Sequence, residues 1–335
     1  MRVAVNGLGR IGKLVVRQLL EHPGDIELVL LNDKMGNPEQ HALLLNVDTV
    51  HGPFAPEIGF DDQAVYYEGR RIPFTQASNI EGLSLEDHAV DMVIDCTGTF
   101  KTVKKVAPYY DHGVRKVLVS APVKEEGACN LVYGINHNMY DANNHHLITA
   151  ASCTTNCLAP VVEVIHKELG IKHGMITTIH NVTNTQTILD RPSKDMRRAR
   201  SALNAMIPTT TGSATAITVI YPELKGKLNG HAVRVPLVNG SLTDCVFEVS
   251  RKTNVEEVNG LLAHYAQHSL QGILGFERRP LVSADFVNDT RSSIVDGPST
   301  MVVDDTQVKI YAWYDNEMGY ACRMVDIARM IVAQA

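Results

Sequence analysis

The sequence lacks the features of several large protein classes. It has no apolar run that approaches the roughly 20 residues of a membrane span, and its N-terminal residues do not have the basic and apolar regions of a signal peptide. Its net charge of −6 at pH 7 argues against a nucleic-acid binder, which would carry a basic stripe. We therefore expect a cytoplasmic protein that acts on small molecules, with no nucleic-acid and no membrane partner.

Cysteine is sparse and has no metal-binding pattern. The six cysteines lack the paired spacing of zinc sites, and a cytoplasmic chain normally keeps its thiols reduced. We expect no metal site, and we expect most of these thiols to be small core residues.

The first half of the chain alternates short apolar runs with helical stretches. The runs "RVAVNG", "IELVLLN", "VDMVIDCTG" and "RKVLVSAP" are typical of buried strands, and "RIGKLVVRQLLEH" and "KTVKKVAPYYDHG" have helical periodicity. This alternation predicts an α/β domain with a Rossmann-type, doubly wound parallel sheet.

The pattern changes after residue 151. Longer strand-like runs follow, namely "HAVRVPLVNG", "TDCVFEVSR", "LVSADF" and "VKIYAWYD", with a few helices between them. They predict an α+β domain with a mixed or antiparallel sheet. The last stretch, "YACRMVDIARMIVAQA", is an apolar-striped helix that can pack back on the first domain. We expect residues 1–151 and 317–335 to form the dinucleotide-binding domain and residues 152–316 the catalytic domain.

A glycine motif follows the first predicted strand. Gly7, Gly9 and Gly12 in "NGLGRIG" have the G-x-G-x-x-G spacing, which permits a tight turn and close approach of a pyrophosphate to a helix N-terminus. The alternative is a glycine turn used only for packing. Asp33 ends the second predicted strand, about 20 residues further on, where a carboxylate accepts hydrogen bonds from an adenosine ribose.

The same carboxylate bears on the choice of cofactor. Asp33 favours NAD because it would repel the 2′-phosphate of NADP. Lys34 and Arg191 weaken this inference because both are basic. The residues therefore predict NAD and leave NADP open.

The stretch "SCTTNC" places Cys153 where an apolar run gives way to a predicted helix. A helix N-terminus stabilises a thiolate, so we expect the pKa of Cys153 to be lowered and the thiol to be a nucleophile. His180 ends the β-rich run "MITTIH" and is a candidate base for that thiol. A purely structural role for His180 is the alternative, since the chain has fourteen histidines.

Six segments in this order and spacing resemble the phosphorylating glyceraldehyde-3-phosphate dehydrogenases over essentially the whole chain. They are "NGLGRIG", "SCTTNCLAP", "TTIHNVTNTQ", "RRARSALNAMIPTTTGSA", "LNGHAVRVP" and "WYDNEMGY". The resemblance implies a homotetrameric, nicotinamide-dependent enzyme that oxidises glyceraldehyde 3-phosphate to 1,3-bisphosphoglycerate. In this reading Cys153 forms a thiohemiacetal and then a thioester, His180 takes the hydroxyl proton, and inorganic phosphate resolves the thioester.

The resemblance also implies binding residues. Two oxyanion sites are expected: the substrate phosphate contacts Thr183 and Arg234, and the attacking phosphate contacts Ser152, Thr154, Arg198, Thr211 and Gly212. The implied cofactor contacts come from the glycine turn, the ends of later strands and the nicotinamide side, and they are Asn6, Gly7, Gly9, Arg10, Ile11, Gly12, Asp33, Lys34, Thr97, Ser120, Arg191 and Asn316.

One departure from the family pattern concerns the cofactor. Arg191 stands where NAD-specific members usually carry an apolar residue, on a loop that reaches the adenosine ribose of a neighbouring subunit. An arginine there, assisted by Lys34, can hold a 2′-phosphate. We therefore expect use of both NAD and NADP.

Three alternatives to the glycolytic reaction remain open. The chain resembles the branch of the family associated with arsenic resistance, in which arsenate replaces phosphate and gives 1-arseno-3-phosphoglycerate. An erythrose-4-phosphate dehydrogenase is the closest enzymatic alternative, although Thr183 and Thr211 favour glyceraldehyde 3-phosphate. A thiol redox sensor that uses Cys153 belongs to a different functional class.

Overall fold

The computed structural model describes residues 1–335 and divides the chain into two compact units. Unit 1 contains Met1–Ser152 and Tyr320–Ala335, and unit 2 contains Cys153–Gly319. The domain boundaries expected after residues 151 and 316 stay a prediction. No helix in the structure has both the length and the apolar character needed to cross a bilayer.

Unit 1 contains eleven strands, nine of which form one sheet. Its strands are β1 (Arg2–Asn6), β2 (Glu27–Asn32), β3 (Val47–Asp48), β4 (Gly52–Pro53), β5 (Gly59–Asp61), β6 (Ala64–Tyr67), β7 (Arg70–Thr75), β8 (Met92–Asp95), β9 (Lys116–Val119), β10 (Ala128–Asn130) and β11 (Leu147–Thr149). The order across the sheet is β10-β11-β9-β8-β1-β2-β7-β6-β5, while β3 and β4 pair separately.

Pairing in this sheet is parallel from β10 to β7, and β7, β6 and β5 form an antiparallel edge. The parallel strands are apolar and buried because helices cover a doubly wound sheet on both faces. The chain reverses its winding between β1 and β8, which is where such folds bind ligands. The predicted Rossmann-type sheet is confirmed.

Three helices of unit 1 follow strands, namely α1 (Arg10–Glu21), α2 (Pro38–Asn46) and α3 (Val103–Asp111). Helix α2 begins at a capping box, in which the Asn37 side chain accepts from the Gln40 backbone amide at 2.9 Å. Helix α1 begins after Gly9, which provides no side-chain cap. The first amides of α1 are therefore available to a ligand. Unit 1 also contains short 3-10 helices at Ile80–Gly82 and His137–Met139.

Unit 2 combines three helices with an eight-stranded mixed sheet. Its helices are α4 (Cys153–Leu169), α5 (Ser213–Ile220) and α6 (Val255–Gln267). Its strands are β12 (Ile171–His180), β13 (Ile207–Thr210), β14 (Leu228–Arg234), β15 (Ser241–Val249), β16 (Leu274–Glu277), β17 (Ser293–Asp296), β18 (Met301–Val303) and β19 (Gln307–Tyr314). The order is β13-β14-β12-β15-β19-β17-β16, and β18 pairs with β19. The chain ends with helix α7 (Met318–Ala333).

The predicted strand "LVSADF" is wrong. Ser283–Phe286 forms a 3-10 helix, as do Pro222–Leu224 and Gly297–Ser299. The Asp285 side chain accepts from the Val282 amide at 2.8 Å, and the Asp285 amide donates to the Val282 carbonyl at 2.9 Å. These local bonds close a turn that alternating apolar residues alone do not indicate.

Strand register places the polar groups of unit 2. Strands β12 and β14 are parallel, and their last residues, His180 and Arg234, are partners in the register. Strand β15 alternates buried and half-buried residues, so one face of the sheet packs on the buried residues of α4. The carboxyl ends of β12 and β14 thus meet at one edge of the sheet.

Candidate functional sites

A cavity of about 200 Å³ lies at the carboxyl ends of β1, β2 and β8 in unit 1. Six of the predicted cofactor residues line it, together with polar residues of neighbouring loops. The predicted ones are Asn6, Gly7, Gly9, Asp33, Lys34 and Thr97. The position corresponds to the ligand crevice of doubly wound folds.

The glycine turn fits a pyrophosphate. Gly7 has a φ of 91°, and a Cβ atom there would lie 2.6 Å from the Thr97 nitrogen. A Cβ atom on Gly12 would lie 1.8 Å from the Gly7 carbonyl oxygen, whereas one on Gly9 would meet no atom within 4 Å. Gly7 and Gly12 are therefore needed for the close approach of backbone to backbone. Gly9 leaves open space beside the uncapped amides of α1, where an anion can bind.

Asp33 connects the glycine turn to the loop after β2. Its carboxylate accepts from the Leu8 amide at 2.7 Å and from the Met35 amide at 2.9 Å. An ionised carboxylate has about four lone-pair directions, so two remain for ribose hydroxyls. Lys34 is exposed at the rim of the same cavity.

Six predicted cofactor residues lie outside this lining, and three of them are Arg10, Ile11 and Ser120. The Arg10 guanidinium forms an ion pair with Asp48 through both of its terminal nitrogens, so its side chain is already engaged. Ile11 is half-buried in α1, and the Ser120 amide donates to the Asp95 carbonyl at 2.9 Å. Cofactor contacts by these three residues stay predictions.

A buried polar network behind the cavity was missed by sequence reasoning. Asn6 Nδ2 donates to the Tyr109 hydroxyl at 2.6 Å, and that hydroxyl donates to Asp95 Oδ2 at 2.7 Å. Thr97 donates to Asp95 Oδ1 from its amide at 3.0 Å and from its hydroxyl at 2.8 Å. Asn32 Nδ2 donates to Asn6 Oδ1 at 2.8 Å. The network thus connects the ends of β1, β2 and β8 to α3.

Burial within this network raises the pKa of Asp95 to about 6, although the hydrogen bonds from Tyr109 and Thr97 act to lower it.

Cys153 is the first residue of α4, as the sequence predicts, and it is half-buried. The expectation of a lowered thiol pKa is wrong for the free protein. Burial raises the pKa of Cys153, while the positive charge of Arg234 and hydrogen bonds from Thr154 act in the opposite direction. Desolvation of the thiolate outweighs the helix terminus. All six cysteines are free thiols.

His180 ends β12 and is buried. Its Nε2 atom lies 3.7 Å from Cys153 Sγ, so the two predicted catalytic side chains come together. Its Nδ1 atom lies 2.9 Å from the Asn181 carbonyl and 2.6 Å from Arg234 Nη1. Burial, followed by the charge of Arg234, lowers the pKa of His180 to about 3. The imidazole is therefore neutral in the free protein near neutral pH.

Tyr314 supports this pair and was not predicted as a site residue. Its hydroxyl lies 2.9 Å from the Thr154 hydroxyl and 2.8 Å from the Thr178 hydroxyl, and its ring meets the His180 ring edge-to-face. Burial raises the pKa of Tyr314 above its ordinary value. Its place in "WYDNEMGY" is the one sequence signal that points to it.

Asn316 is buried, and its amide has a fixed orientation. The Ser241 hydroxyl donates to Asn316 Oδ1 at 2.9 Å, which leaves the Asn316 Nδ2 group as the free donor. The same hydroxyl accepts from the Asn181 amide at 3.2 Å. Ser241 therefore links Asn316 to the residue after His180, and no sequence pattern indicated this role.

The predicted oxyanion residues of unit 2 form a hydroxyl and guanidinium chain. Thr183 Oγ1 lies 2.8 Å from Thr185 Oγ1, which accepts from Arg198 Nη1 at 2.6 Å. Arg198 also forms an ion pair with Asp195 at 3.3 Å. The structure thus connects Thr183 with Arg198, whereas the resemblance assigned them to different oxyanion sites.

The remaining predicted oxyanion residues are placed individually. Thr211 and Gly212 precede α5, whose N-cap residue Gly212 provides no side-chain bond to the helix. The Thr211 hydroxyl lies 3.2 Å from that of Ser213. Ser152 is the last residue of the first segment of unit 1. Arg191 is exposed, and its guanidinium has no hydrogen bond or ion pair within the chain.

Comparison with known proteins matches both parts of the chain to one enzyme family. Residues 1–103 match the family model described as the NAD binding domain of glyceraldehyde 3-phosphate dehydrogenase, and residues 152–316 match the C-terminal domain of the same enzyme. The chain is 57% identical over 332 residues to glyceraldehyde-3-phosphate dehydrogenase 3 of a Nostoc species, covering 99% of this chain and 98% of that protein.

Bacillar relatives are similar over the same length. The chain is 45% identical over 334 residues to the glyceraldehyde-3-phosphate dehydrogenase of Geobacillus stearothermophilus, covering 100% of this chain and 99% of that protein. It is 44% identical over 331 residues to glyceraldehyde-3-phosphate dehydrogenase 1 of Bacillus subtilis, covering 99% and 98%. The chain therefore belongs to the glyceraldehyde-3-phosphate dehydrogenase family of NAD-dependent oxidoreductases.

Proposed function

We propose that this protein catalyses the nicotinamide-dependent oxidative phosphorylation of glyceraldehyde 3-phosphate to 1,3-bisphosphoglycerate. The observation that carries the proposal is the 3.7 Å approach of Cys153 Sγ to His180 Nε2 at the N-terminus of α4. A thiol beside an imidazole can add to an aldehyde and then carry the acyl group as a thioester.

Cys153 and His180 share the proton transfers in this proposal. His180 Nε2 takes the thiol proton of Cys153 as the sulfur attacks the aldehyde carbon, and the carbonyl π electrons move to the oxygen, which then takes that proton from Nε2. His180 removes the same proton when the hydride leaves, so the carbonyl bond forms again as a thioester. Backbone and hydroxyl donors of Thr154 face the sulfur and stabilise negative charge there.

NAD supplies the hydride acceptor. In this chain the glycine turn and the uncapped amides of α1 would hold the pyrophosphate, and Asp33 would hold the ribose. Asn316 would donate its free Nδ2 hydrogens to the nicotinamide carboxamide, because Ser241 holds the Asn316 oxygen.

The oxyanions are assigned to hydroxyls and arginines of unit 2. Arg234, whose Nε group is buried without a partner, supplies a donor for the substrate phosphate. Thr183 is assigned to the same phosphate, and its hydroxyl lies 2.8 Å from that of Thr185, which accepts from Arg198 Nη1. Thr211, Gly212, Ser152, Thr154 and Arg198 remain candidates for the attacking oxyanion. Guanidinium and hydroxyl donors suit phosphate because they combine charge with directed hydrogen bonds.

The acyl acceptor is phosphate in the main proposal, and arsenate is a second acceptor that would give 1-arseno-3-phosphoglycerate. Both ions have the same charge and tetrahedral shape, so the same donors accept either. The resemblance to the branch associated with arsenic resistance supports an arsenate-detoxifying role.

The test is the initial rate of cofactor reduction by the purified protein with glyceraldehyde 3-phosphate. Phosphate and arsenate are varied separately, and erythrose 4-phosphate is offered as an alternative substrate. We expect sustained reduction that depends on the oxyanion. Reduction that does not respond to either oxyanion, or activity with erythrose 4-phosphate alone, would contradict the proposal.

We further propose that the protein uses NADP in addition to NAD. Arg191 is exposed with an unpaired guanidinium, and Lys34 lies exposed at the rim of the cofactor cavity. A charged pair on a 2′-phosphate contributes roughly 1.5 to 3 kcal/mol, which corresponds to about a tenfold or larger change in affinity. Arg191→Leu should lower kcat/KM with NADP by about tenfold and leave kcat/KM with NAD unchanged. Equal losses with both cofactors would refute the role.

A homotetramer is the proposed assembly. The loop after β12 exposes large apolar side chains, namely Ile188, Leu189, Met196, Leu203 and Met206. Contact of so many apolar side chains with water is unfavourable and is typical of an interface. Burial against other copies of the chain would remove them from water.

A further inference from the structure

The Nδ1 atom of His180 lies within hydrogen-bonding distance of both a donor and an acceptor. Arg234 Nη1, a donor, lies 2.6 Å away, and the Asn181 carbonyl oxygen, an acceptor, lies 2.9 Å away. A neutral imidazole nitrogen either accepts a hydrogen bond through its lone pair or donates its proton. The imidazole can therefore satisfy only one of the two partners at a time.

The main chains of both partners are fixed by hydrogen bonds. His180 and Arg234 are register partners on the parallel strands β12 and β14, and the Val235 amide donates to the His180 carbonyl at 2.9 Å. The Asn181 side chain donates to the Val238 carbonyl at 2.7 Å, and its backbone amide donates to the Ser241 hydroxyl. The Asn181 carbonyl is thus a fixed main-chain acceptor, whereas the Arg234 guanidinium, at the end of a flexible side chain, is the partner that can move away.

An anion can draw the Arg234 guanidinium away from His180. Its Nε group is buried and has no hydrogen-bond partner, and Nη1 bonds only to the imidazole and, at 3.2 Å, to the Asn181 carbonyl. A half-buried guanidinium with an unmet, buried donor and no carboxylate partner favours an incoming oxyanion.

The two partners define two states of the ring. In the arginine-held state, Nδ1 accepts from Arg234, the proton lies on Nε2, and Nε2 can only donate towards Cys153 Sγ. In the carbonyl-held state, Nδ1 donates to Asn181, and Nε2 presents its lone pair to Cys153. Only the carbonyl-held state can act as a base.

We propose that Arg234 is a positioning residue that keeps His180 in the arginine-held state until the phosphate of the substrate draws the guanidinium away and releases the carbonyl-held state. This inference rests on the proposed function of the same site. It adds a role to Arg234 beyond holding a phosphate, because binding of the anion then switches on the base.

The two states differ in which ring nitrogen carries the proton. In the arginine-held state, Nε2–H donates towards the Cys153 sulfur and cannot take a proton from it. In the carbonyl-held state, Nδ1 carries the imidazole proton, and the Nε2 lone pair can accept the thiol proton of Cys153. The thiol proton then passes to Nε2, on to the oxygen as the C–S bond forms, and back to Nε2 as the hydride leaves for the nicotinamide.

The arginine-held state cannot complete that sequence. If its Nε2–H gave its proton to the oxygen, Nδ1 would hold none, and the ring would be left as an imidazolate. The switch therefore predicts that a phosphate group on the substrate affects kcat in addition to KM.

The groups around the ring leave the imidazole neutral. Cys153 of α4 faces Nε2, Arg234 of β14 faces Nδ1, Arg198 contributes positive charge from its loop, and the Tyr314 ring of β19 meets the imidazole at 6.0 Å. Burial and the two arginines keep the pKa of His180 near 3, so protonation of both nitrogens does not compete in the free protein.

The first test reads the tautomer directly. Nitrogen NMR of sedimented protein with isotope-labelled histidine distinguishes a protonated from an unprotonated Nδ1, and a His180→Gln variant identifies the His180 signals. We expect an unprotonated Nδ1 in the free protein near neutral pH, and a protonated Nδ1 after inorganic sulfate is added as the anion. A protonated Nδ1 in the free protein, or no response to sulfate, would overturn the proposal.

Two arginine variants separate contact from charge. In Arg234→Met, Nδ1 should be protonated with and without sulfate. In Arg198→Met, which removes a nearby charge but no contact with Nδ1, the free protein should keep an unprotonated Nδ1. If both variants behave alike, charge alone sets the tautomer and the proposal fails.

The kinetic test uses glyceraldehyde without a phosphate, with phosphate or arsenate kept below the concentration that occupies the substrate site. Arg234→Met should raise kcat for this substrate by about tenfold, since general-base catalysis contributes about 100-fold or more when it is available. The same variant should lose activity towards glyceraldehyde 3-phosphate. An unchanged kcat with glyceraldehyde would show that Arg234 only holds phosphate.

The outcomes separate this inference from the proposed function. Normal turnover of glyceraldehyde 3-phosphate without the tautomer change refutes the switch alone. The tautomer change without such turnover supports the switch and refutes the proposed substrate.

Discussion

At the scale of single residues, the chemistry depends on what surrounds the sulfur of Cys153. The sequence predicted a nucleophile at a helix N-terminus, and α4 begins at that residue. The thiol pKa is nevertheless raised, because burial of the sulfur outweighs Arg234 and Thr154. Sequence position indicates a helix terminus but not how far the side chain is removed from water.

Replacing Cys153 should separate chemistry from cofactor binding. Cys153→Ser removes the sulfur that forms the thioester, so turnover should fall by at least about 1,000-fold, while NAD binding, measured by fluorescence titration, should be unchanged. Cys157→Ser is the matched control four residues along α4. That sulfur is buried at 3.4 Å from the Thr243 hydroxyl and 3.7 Å from the Ser293 hydroxyl. Loss of turnover in the control alone would contradict the assignment.

Asp95 should make stability depend on pH. Burial raises its pKa from 3.8 to about 6, so the folded protein holds a proton that the unfolded chain releases. The stabilisation is complete below pH 3.8 and is lost as the pH rises through about 6. By this linkage the parent should lose on the order of 3 kcal/mol across that range relative to Asp95→Asn.

Chemical unfolding of both proteins across that range measures the difference. Only the change with pH is compared, because the amide also alters the bonds to Tyr109 and Thr97. Parallel curves for parent and variant would show that Asp95 has an ordinary pKa.

At the scale of elements, the glycine turn between β1 and α1 has two kinds of glycine. Gly12 faces the Gly7 carbonyl so closely that a methyl group cannot fit, whereas Gly9 faces open space. The sequence motif contains both without distinguishing them. Packing around the turn makes the distinction, because Gly12 lies against the backbone and Gly9 lies against the cavity.

This difference predicts opposite behaviour for two alanine variants. Gly12→Ala should lower the free energy of unfolding by roughly 1 to 3 kcal/mol through overpacking and should weaken NAD binding. Gly9→Ala should keep the stability of the parent, because its φ of −72° suits alanine, and should weaken NAD binding alone. Thermal unfolding and cofactor titration test both. Equal stability of the two variants would contradict the packing argument.

The strand elements of unit 2 were predicted less completely than those of unit 1. The parallel strands of unit 1 are short, apolar and separated by helices, so local pattern identifies them. In unit 2 the segment "LVSADF" has a strand-like pattern, yet the Asp285 side chain closes it into a 3-10 helix. A side-chain hydrogen bond to the backbone can override an alternating pattern.

At the scale of the whole molecule, the exposed apolar loop leads to a prediction of assembly. Sedimentation of the purified protein should give about four times the 36.8 kDa mass of one chain. Ile188→Asp and Met206→Asp should lower that mass, because a charge in a buried apolar interface costs several kcal/mol.

A surface change elsewhere provides the control for assembly. Val255 is exposed at the first position of α6, where an aspartate favours the helix terminus, so Val255→Asp should keep the mass of the parent. If the loop variants keep the parental mass as well, the apolar loop is not the interface.

The sequence by itself determined the two-part architecture and the residue types of the sites. The glycine spacing before α1, the acidic end of β2 and the cysteine before an apolar helical pattern are local signals, each contained within a short segment. The whole-length resemblance added the family, which the comparisons confirm.

Only the tertiary structure decided which of these groups meet. The His180 ring reaches Cys153 and Arg234 because β12 follows α4 and lies parallel to β14 in one register. Tyr314 joins Thr154 and Thr178, and Ser241 orients Asn316, across separations in sequence that no local pattern encodes. Contacts of this kind depend on strand register and burial, and both are set only when the whole sheet has formed.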